Sequence, residues 1–177
     1  MQEDSQKESL KLRGFVRVVT VDRETGLVTE DTGVIQNKIT TAGYLSMFGA
    51  VLLGSTGISA QSCPNYLAFG SNTTPISSTF TNFMTTGTAL GFTGANIVTR
   101  QQIAYFTDSE GGRLRIVASW AGTAFVKAAS TASFNALGLF HTNTGSYSAL
   151  AAATFPQVNW RVGNDCWITY DLKVGQT

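Results

Sequence analysis

The stretch Cys166–Val174, CWITYDLKV, places Cys166, Ile168, Tyr170, Leu172 and Val174 on one side of an extended chain and Trp167, Thr169, Asp171 and Lys173 on the other. A side-chain period of two is the mark of a β-strand with one face packed and one face wetter. The same reading extends to the other end of the chain, where Leu12–Val21, LRGFVRVVTV, carries apolar residues on both sides: Phe15, Val19 and Val21 on one, Val16 and Val18 on the other. Asp22-Arg23-Glu24-Thr25-Gly26 reads as a turn, and Leu27–Thr29 begins the returning strand of a hairpin. Between these ends, Tyr66–Gly70, Ile97–Thr107, Arg113–Trp120, Ala132–Phe140 and Ala149–Phe155 form further strand-length runs separated by turn-formers such as Thr142-Asn143-Thr144-Gly145 and Gly163-Asn164-Asp165. In Arg113–Trp120, Arg113, Arg115 and Ala118 oppose Leu114, Ile116 and Trp120, with a slip at Val117. Short antiparallel strands at this density predict an all-β fold with one helix, an antiparallel β-sandwich of jelly-roll type.

The one helix is read in Asn37–Gly54, NKITTAGYLSMFGAVLLG, where Tyr44, Phe48, Val51 and Leu52 recur at helical spacing. Asn37, Thr40 and Thr41 offer capping oxygens and Gly54 a stop. Gly43 and Gly49 each weaken a helix by about 1 kcal/mol relative to Ala, so this one is expected to depend on packing against the sheet. The 177 residues read as a single domain. It comprises an arm (1–10), without apolar periodicity and expected to be flexible or ordered by a partner, a hairpin (11–35), the helix (37–54) and the sandwich (66–177). Within it, residues 71–96 form a long Ser/Thr/Gly-rich excursion.

Charged residues make up 13% of the chain, about half the usual share. Residues 1–31 hold five Lys/Arg and seven Asp/Glu, more than half of all the charges. A surface so poor in charge points to burial against other subunits, or to the neutral Ser/Thr surface of an extracellular β-protein. With net charge +1 and no basic block, direct nucleic-acid binding is not expected. The N-terminus lacks the apolar core of a signal peptide and no run reaches the length of a membrane span, so the sequence predicts a chain made and assembled in a cytoplasm, without membrane contact. Cys63 and Cys166 are isolated; a reducing compartment favours free thiols, while a disulfide between them would close a long loop.

No constellation in the sequence selects a catalytic centre. His141 is the single histidine, and no spacing joins it to a serine and to Asp108, Asp165 or Asp171 as a triad. One His and two distant Cys make no zinc site. Asp22, Glu24, Glu30 and Asp31 lack the spacing of a calcium loop and read as a solvated hairpin. We therefore expect no enzyme, no metal and no cofactor. Trp120 and Trp160 read as core. Trp167, beside Thr169 and Asp171 on the wetter face of its strand, is the leading candidate for an interface anchor. Phe80, Phe83 and Phe92, in the long excursion, are candidates to dock on the sheet or on a partner. Arg13 and Arg17, on the charge-rich hairpin, are candidates to reach a neighbour.

Several stretches together resemble tailed-bacteriophage virion structural proteins: GFVRVVTVDRETGLVTEDTG (Gly14–Gly33), NKITTAGYLSMFGAVLLG, YLAFGSNTTP (Tyr66–Pro75), FNALGLFHTNTGSYSALAAATFP (Phe134–Pro156) and CWITYDLKV. The chain departs from that pattern at Asn135-Ala136-Leu137, where an acidic residue is more usual. The resemblance implies a non-enzymatic building block of the virion, assembled in the host cytoplasm as a homo-oligomer and in contact with other capsid or tail proteins. Its place would be capsid decoration or cement, or the neck or tail. A receptor-binding module of a tail fibre, a β-sandwich that takes host glycan, is the alternative. The division into parts predicts that removal of residues 1–31 leaves a folded sandwich and abolishes assembly.

Overall fold

The computed structural model of the chain describes residues 10–44, 66–70, 75–79, 103–108, 111–121, 131–140 and 149–176. Cys63, Phe80, Phe83, Phe92, His141 and the helical stretch beyond Tyr44 lie outside them. The described strands are β1 (Leu10–Asp22), β2 (Val28–Asp31), β3 (Ile35–Ile39), β4 (Tyr66–Gly70), β5 (Ile103–Asp108), β6 (Gly111–Trp120), β7 (Thr131–Phe140), β8 (Ala151–Arg161) and β9 (Asn164–Gln176). All pairings are antiparallel and join into one sheet of order β4-β7-β8-β3-β1-β9-β6-β5, with β2 beside β1 off this path.

The two stretches with the clearest strand patterns, near the two ends of the chain, are partners. β1 and β9 pair from Leu10↔Gln176 to Asp22↔Asn164 without a break. Leu12, Val16, Val18 and Thr20 of β1 and Cys166, Ile168, Tyr170 and Leu172 of β9 are buried on the inner side of this pair. On β6, Ile116, Ala118 and Trp120 are buried inside, while Arg113, Arg115, Val117 and Ser119 alternate with them. The strand therefore keeps strict alternation: Ala118 belongs with the apolar set, and Val117 is an apolar residue on the outer face.

β2 and β3 share one edge of β1. Val19–Val21 pair with β2 and Gly14–Val16 with β3. Thr32 bridges the interval: its N–H donates to the Val18 carbonyl at 3.0 Å and its Oγ1 accepts from the Val18 N–H at 3.0 Å. Gly33 follows at φ +66°, a left-handed conformation that glycine adopts at no steric cost.

β3 corrects the helix limits read from sequence. Asn37–Ile39 are extended, and the helical turn begins at 41. Thr40 caps it, its Oγ1 accepting from the Gly43 N–H at 3.0 Å. Asn37 is buried instead against Tyr170, donating from Nδ2 to the phenolic oxygen. The paired β3 was missed because Ile35 and Ile39 lie four residues apart, a spacing shared by a helical face and one side of a strand.

β3 also joins the two halves of the sheet, meeting β1 through residues 35–37 and β8 through Lys38↔Ala152 and Ile39↔Ala151. The sheet as a whole curls into a half-barrel. Phe69 on β4 and Trp120 on β6 stand far apart in strand order, yet their rings meet edge-to-face at 5.3 Å. Phe69 also lies 4.5 Å from the Phe134 ring and 6.4 Å from the Trp160 ring. Aromatic rings bury large areas, and here they close the concave side.

β8 runs past Pro156, where the sequence reading ended it at Phe155. Proline cannot donate to a ladder and is tolerated in a sheet at a bulge. The register between β7 and β8 shifts between Phe134 and Ala136, opposite the segment that holds Pro156.

Candidate interaction face

The outer side of β1, β9 and β6 is a continuous, regular surface whose composition follows from the registers. Val19, Trp167 and Ser119 form one row across the three strands, Arg17, Thr169 and Val117 the next, then Phe15, Asp171 and Arg115, and finally Arg13, Lys173 and Arg113. Trp167, Arg13 and Arg17, three of the residues singled out from sequence, are thus placed on one face. Phe80, Phe83 and Phe92 lie outside the described residues.

Trp167 is 46% exposed, whereas Trp120 is 8% and Trp160 0% exposed. Trp160 also donates its indole N–H to the Asn164 carbonyl at 2.7 Å, which satisfies its one polar group inside the core. Trp167 has Val19 and Ser119 as cross-strand neighbours.

The charges on this face are organised by pairing. Arg115 holds Asp171 through two hydrogen bonds of 2.8 Å, the bidentate geometry in which a guanidinium matches a carboxylate. Arg17 holds Asp31 in the same two-point manner, with Nε to Oδ1 at 2.9 Å and Nη2 on Oδ2. This places the Asp31 carboxyl well below the usual range, at about 2, with the Gly33 N–H acting in the same direction. The Lys173 ammonium sits 5.6 Å from the centre of the Phe15 ring. Arg13, Lys173 and Arg113 stand in register, so three cations mark one end of the face. Like charges directly opposite each other in a sheet repel.

Asp22 closes the β1–β2 turn, its Oδ1 accepting from the Thr25 N–H at 2.8 Å, the Thr25 hydroxyl at 2.8 Å and the Glu24 N–H at 3.1 Å. These bonds lower its pKa. Glu30 accepts from the Asn159 N–H. Cys166 is a buried free thiol whose burial pushes its pKa up to about 12, so it stays protonated and unreactive at neutral pH. Among the described residues no three His, Cys, Asp or Glu converge on a common point, and no helix is long and apolar enough to cross a membrane.

No protein-family model, no curated protein and no solved structure matches the chain.

Proposed function

We propose that the chain is a non-enzymatic structural protein of a bacteriophage particle that works through subunit contacts, as capsid decoration or cement or as a neck or tail component. The observation that carries this reading is the half-exposed Trp167 on the outer face of β1, β9 and β6. A tryptophan left in water on a regular sheet is the kind of group that binding surfaces bury, and Trp is among the residues most enriched at the energetic centre of interfaces. Ordered ion pairs beside it give the face a fixed charge pattern, which favours one docking register over others. The low charge of residues 32–177 and the resemblance of five stretches to virion proteins support the same reading. The finer architecture we propose is a sandwich of jelly-roll type, supported by the way the two halves of the sheet face each other across the Phe69–Trp120 contact.

Replacement Trp167→Ala tests the reading. Loss of a central tryptophan costs an interface about 2 kcal/mol or more, so association should weaken by roughly thirtyfold, read by sedimentation of the purified chain or by its retention on particles. Unchanged association would remove the anchor. The alternative, a glycan-binding module of a tail fibre, predicts instead that the free protein attaches to host cells and blocks infection. A cement protein predicts that particles lacking it are less stable.

A further inference from the structure

Away from the outer face, the sheet is split between β2 and β8. Asn159 on β8 donates its backbone N–H not to a strand carbonyl but to Glu30 Oε2, at 2.8 Å. Asn164 reaches across as well, Nδ2 to Thr29 Oγ1 at 2.9 Å. The gap is a cleft of about 360 Å³ whose lining includes Asp22, Glu30, Asn159, Arg161 and Asn164, with Val162 as its one apolar residue. Its walls are fixed from behind. Thr20, fully buried, shares a 2.7 Å hydrogen bond with Thr29, and Trp160 holds the Asn164 carbonyl. The two hairpin turns beside it are tied together by the Arg23 N–H on the Gly163 carbonyl at 3.1 Å and by the Arg23–Asp165 ion pair. A polar site whose groups are already held in place loses little entropy on binding.

The chemistry of the lining is specific. The Arg161 side chain makes no ion pair or hydrogen bond among the described residues, so its guanidinium offers its donors in the planar fork that matches a carboxylate. Asp22 and Glu30 are each already engaged, Asp22 through Oδ1 by two N–H groups and a hydroxyl, Glu30 through Oε2. What they still present are lone pairs suited to neutral hydroxyl donors. We propose that this cleft binds a sugar acid, a polyol bearing one carboxylate that pairs with Arg161 while its hydroxyls donate to Asp22 and Glu30. The proposal does not rest on the assembly reading, since it uses a different part of the sheet; either can fail while the other stands.

The test is titration of the full-length chain with D-glucuronate, D-glucose and L-lysine, followed by amide NMR shifts and calorimetry. Glucuronate should bind in the millimolar range and move the amides of Asn159, Arg161 and Asn164, with glucose at least tenfold weaker. Arg161→Gln, at an exposed position, should keep the rest of the amide spectrum and weaken glucuronate by about tenfold or more, the loss expected for one charge-assisted contact. Methyl β-D-glucuronide adds the source: binding equal to the free acid assigns a glycan terminus, and loss of binding assigns the free sugar acid. Glucose binding as tightly as glucuronate, lysine binding more tightly than either, shifts that survive Arg161→Gln, or no shift at all would overturn the proposal.

Discussion

Two glycines show how far a residue's meaning depends on its neighbours. In the helical reading Gly43 is a weakness, and Gly43→Ala would stabilise the protein by about 1 kcal/mol on propensity alone. In the fold, a Cβ at Gly43 would run into the carbonyl of Leu150, a backbone atom that cannot swing aside. Overpacking of this kind costs about 1–3 kcal/mol, so the contact wins and Gly43→Ala should destabilise. Gly14 faces Asn37 across β1 and β3, and a Cβ there would occupy the space of the Asn37 amide. Gly14→Ala must displace that side chain from its buried bond to Tyr170, adding an unmet hydrogen bond to the steric cost. We expect a loss of about 3 kcal/mol or more for Gly14→Ala, read from urea denaturation. A neutral effect at both positions would show that the sheet relaxes freely at these contacts.

At the scale of elements, β2 is held little by burial. Its residues are exposed or half-buried, and it is pinned to β1 by the Arg17–Asp31 pair and the Thr20–Thr29 bond. Because Asp31 titrates at about 2 in the fold, below the ordinary carboxylate value near 4, its pairing stabilises the protein fully above that ordinary value. The contribution is lost as pH falls through the window from about 4 to 2. The pair is exposed to solvent, which keeps its worth small. Asp31→Asn should therefore lower the melting temperature at pH 7 and flatten its fall on acidification between pH 4 and 2. An acid profile identical to that of the parent chain would show that Asp31 carries none of it. The elements themselves were largely legible: β4 matches its expected span residue for residue, and β6, β7 and β9 differ by two residues or fewer at each end. β8 and β3 were not, since bulge tolerance of Pro156 and the edge left open beside Gly14–Val16 are properties of the partner strands.

For the molecule as a whole, the main correction concerns the N-terminal hairpin. Read as a separate outpost of charge, it was expected to be dispensable for folding. β1 is instead an interior strand, paired with β9 over its full length on one side and with β2 and β3 on the other. Its Leu12, Val16 and Val18 belong to the same core as Phe69, Trp120 and Trp160. Removal of residues 1–31 should therefore abolish folding, seen as loss of the cooperative thermal transition. A folded truncated chain would mean that β9 and β3 can close the core without β1. The charges that suggested separateness lie on the outer face and in the turns, where strand alternation places them without detaching the strand.

The sequence by itself determined the all-β character, most of the strands, and which face of β9 turns inward, because alternation with period two is a local property of the chain; β1, apolar on both sides in sequence, had its inner face decided by packing. The sequence also distinguished Trp167 from Trp120 and Trp160 on the ground of alternation. Only the tertiary structure decided that the first and last strands are partners, that Asn37 belongs to a strand, that Gly14 and Gly43 are contact requirements, and that Asp22, Glu30, Asn159 and Arg161 share a cleft. Each of these depends on pairing between residues distant in sequence, and local periodicity carries no information about which strand lies beside which.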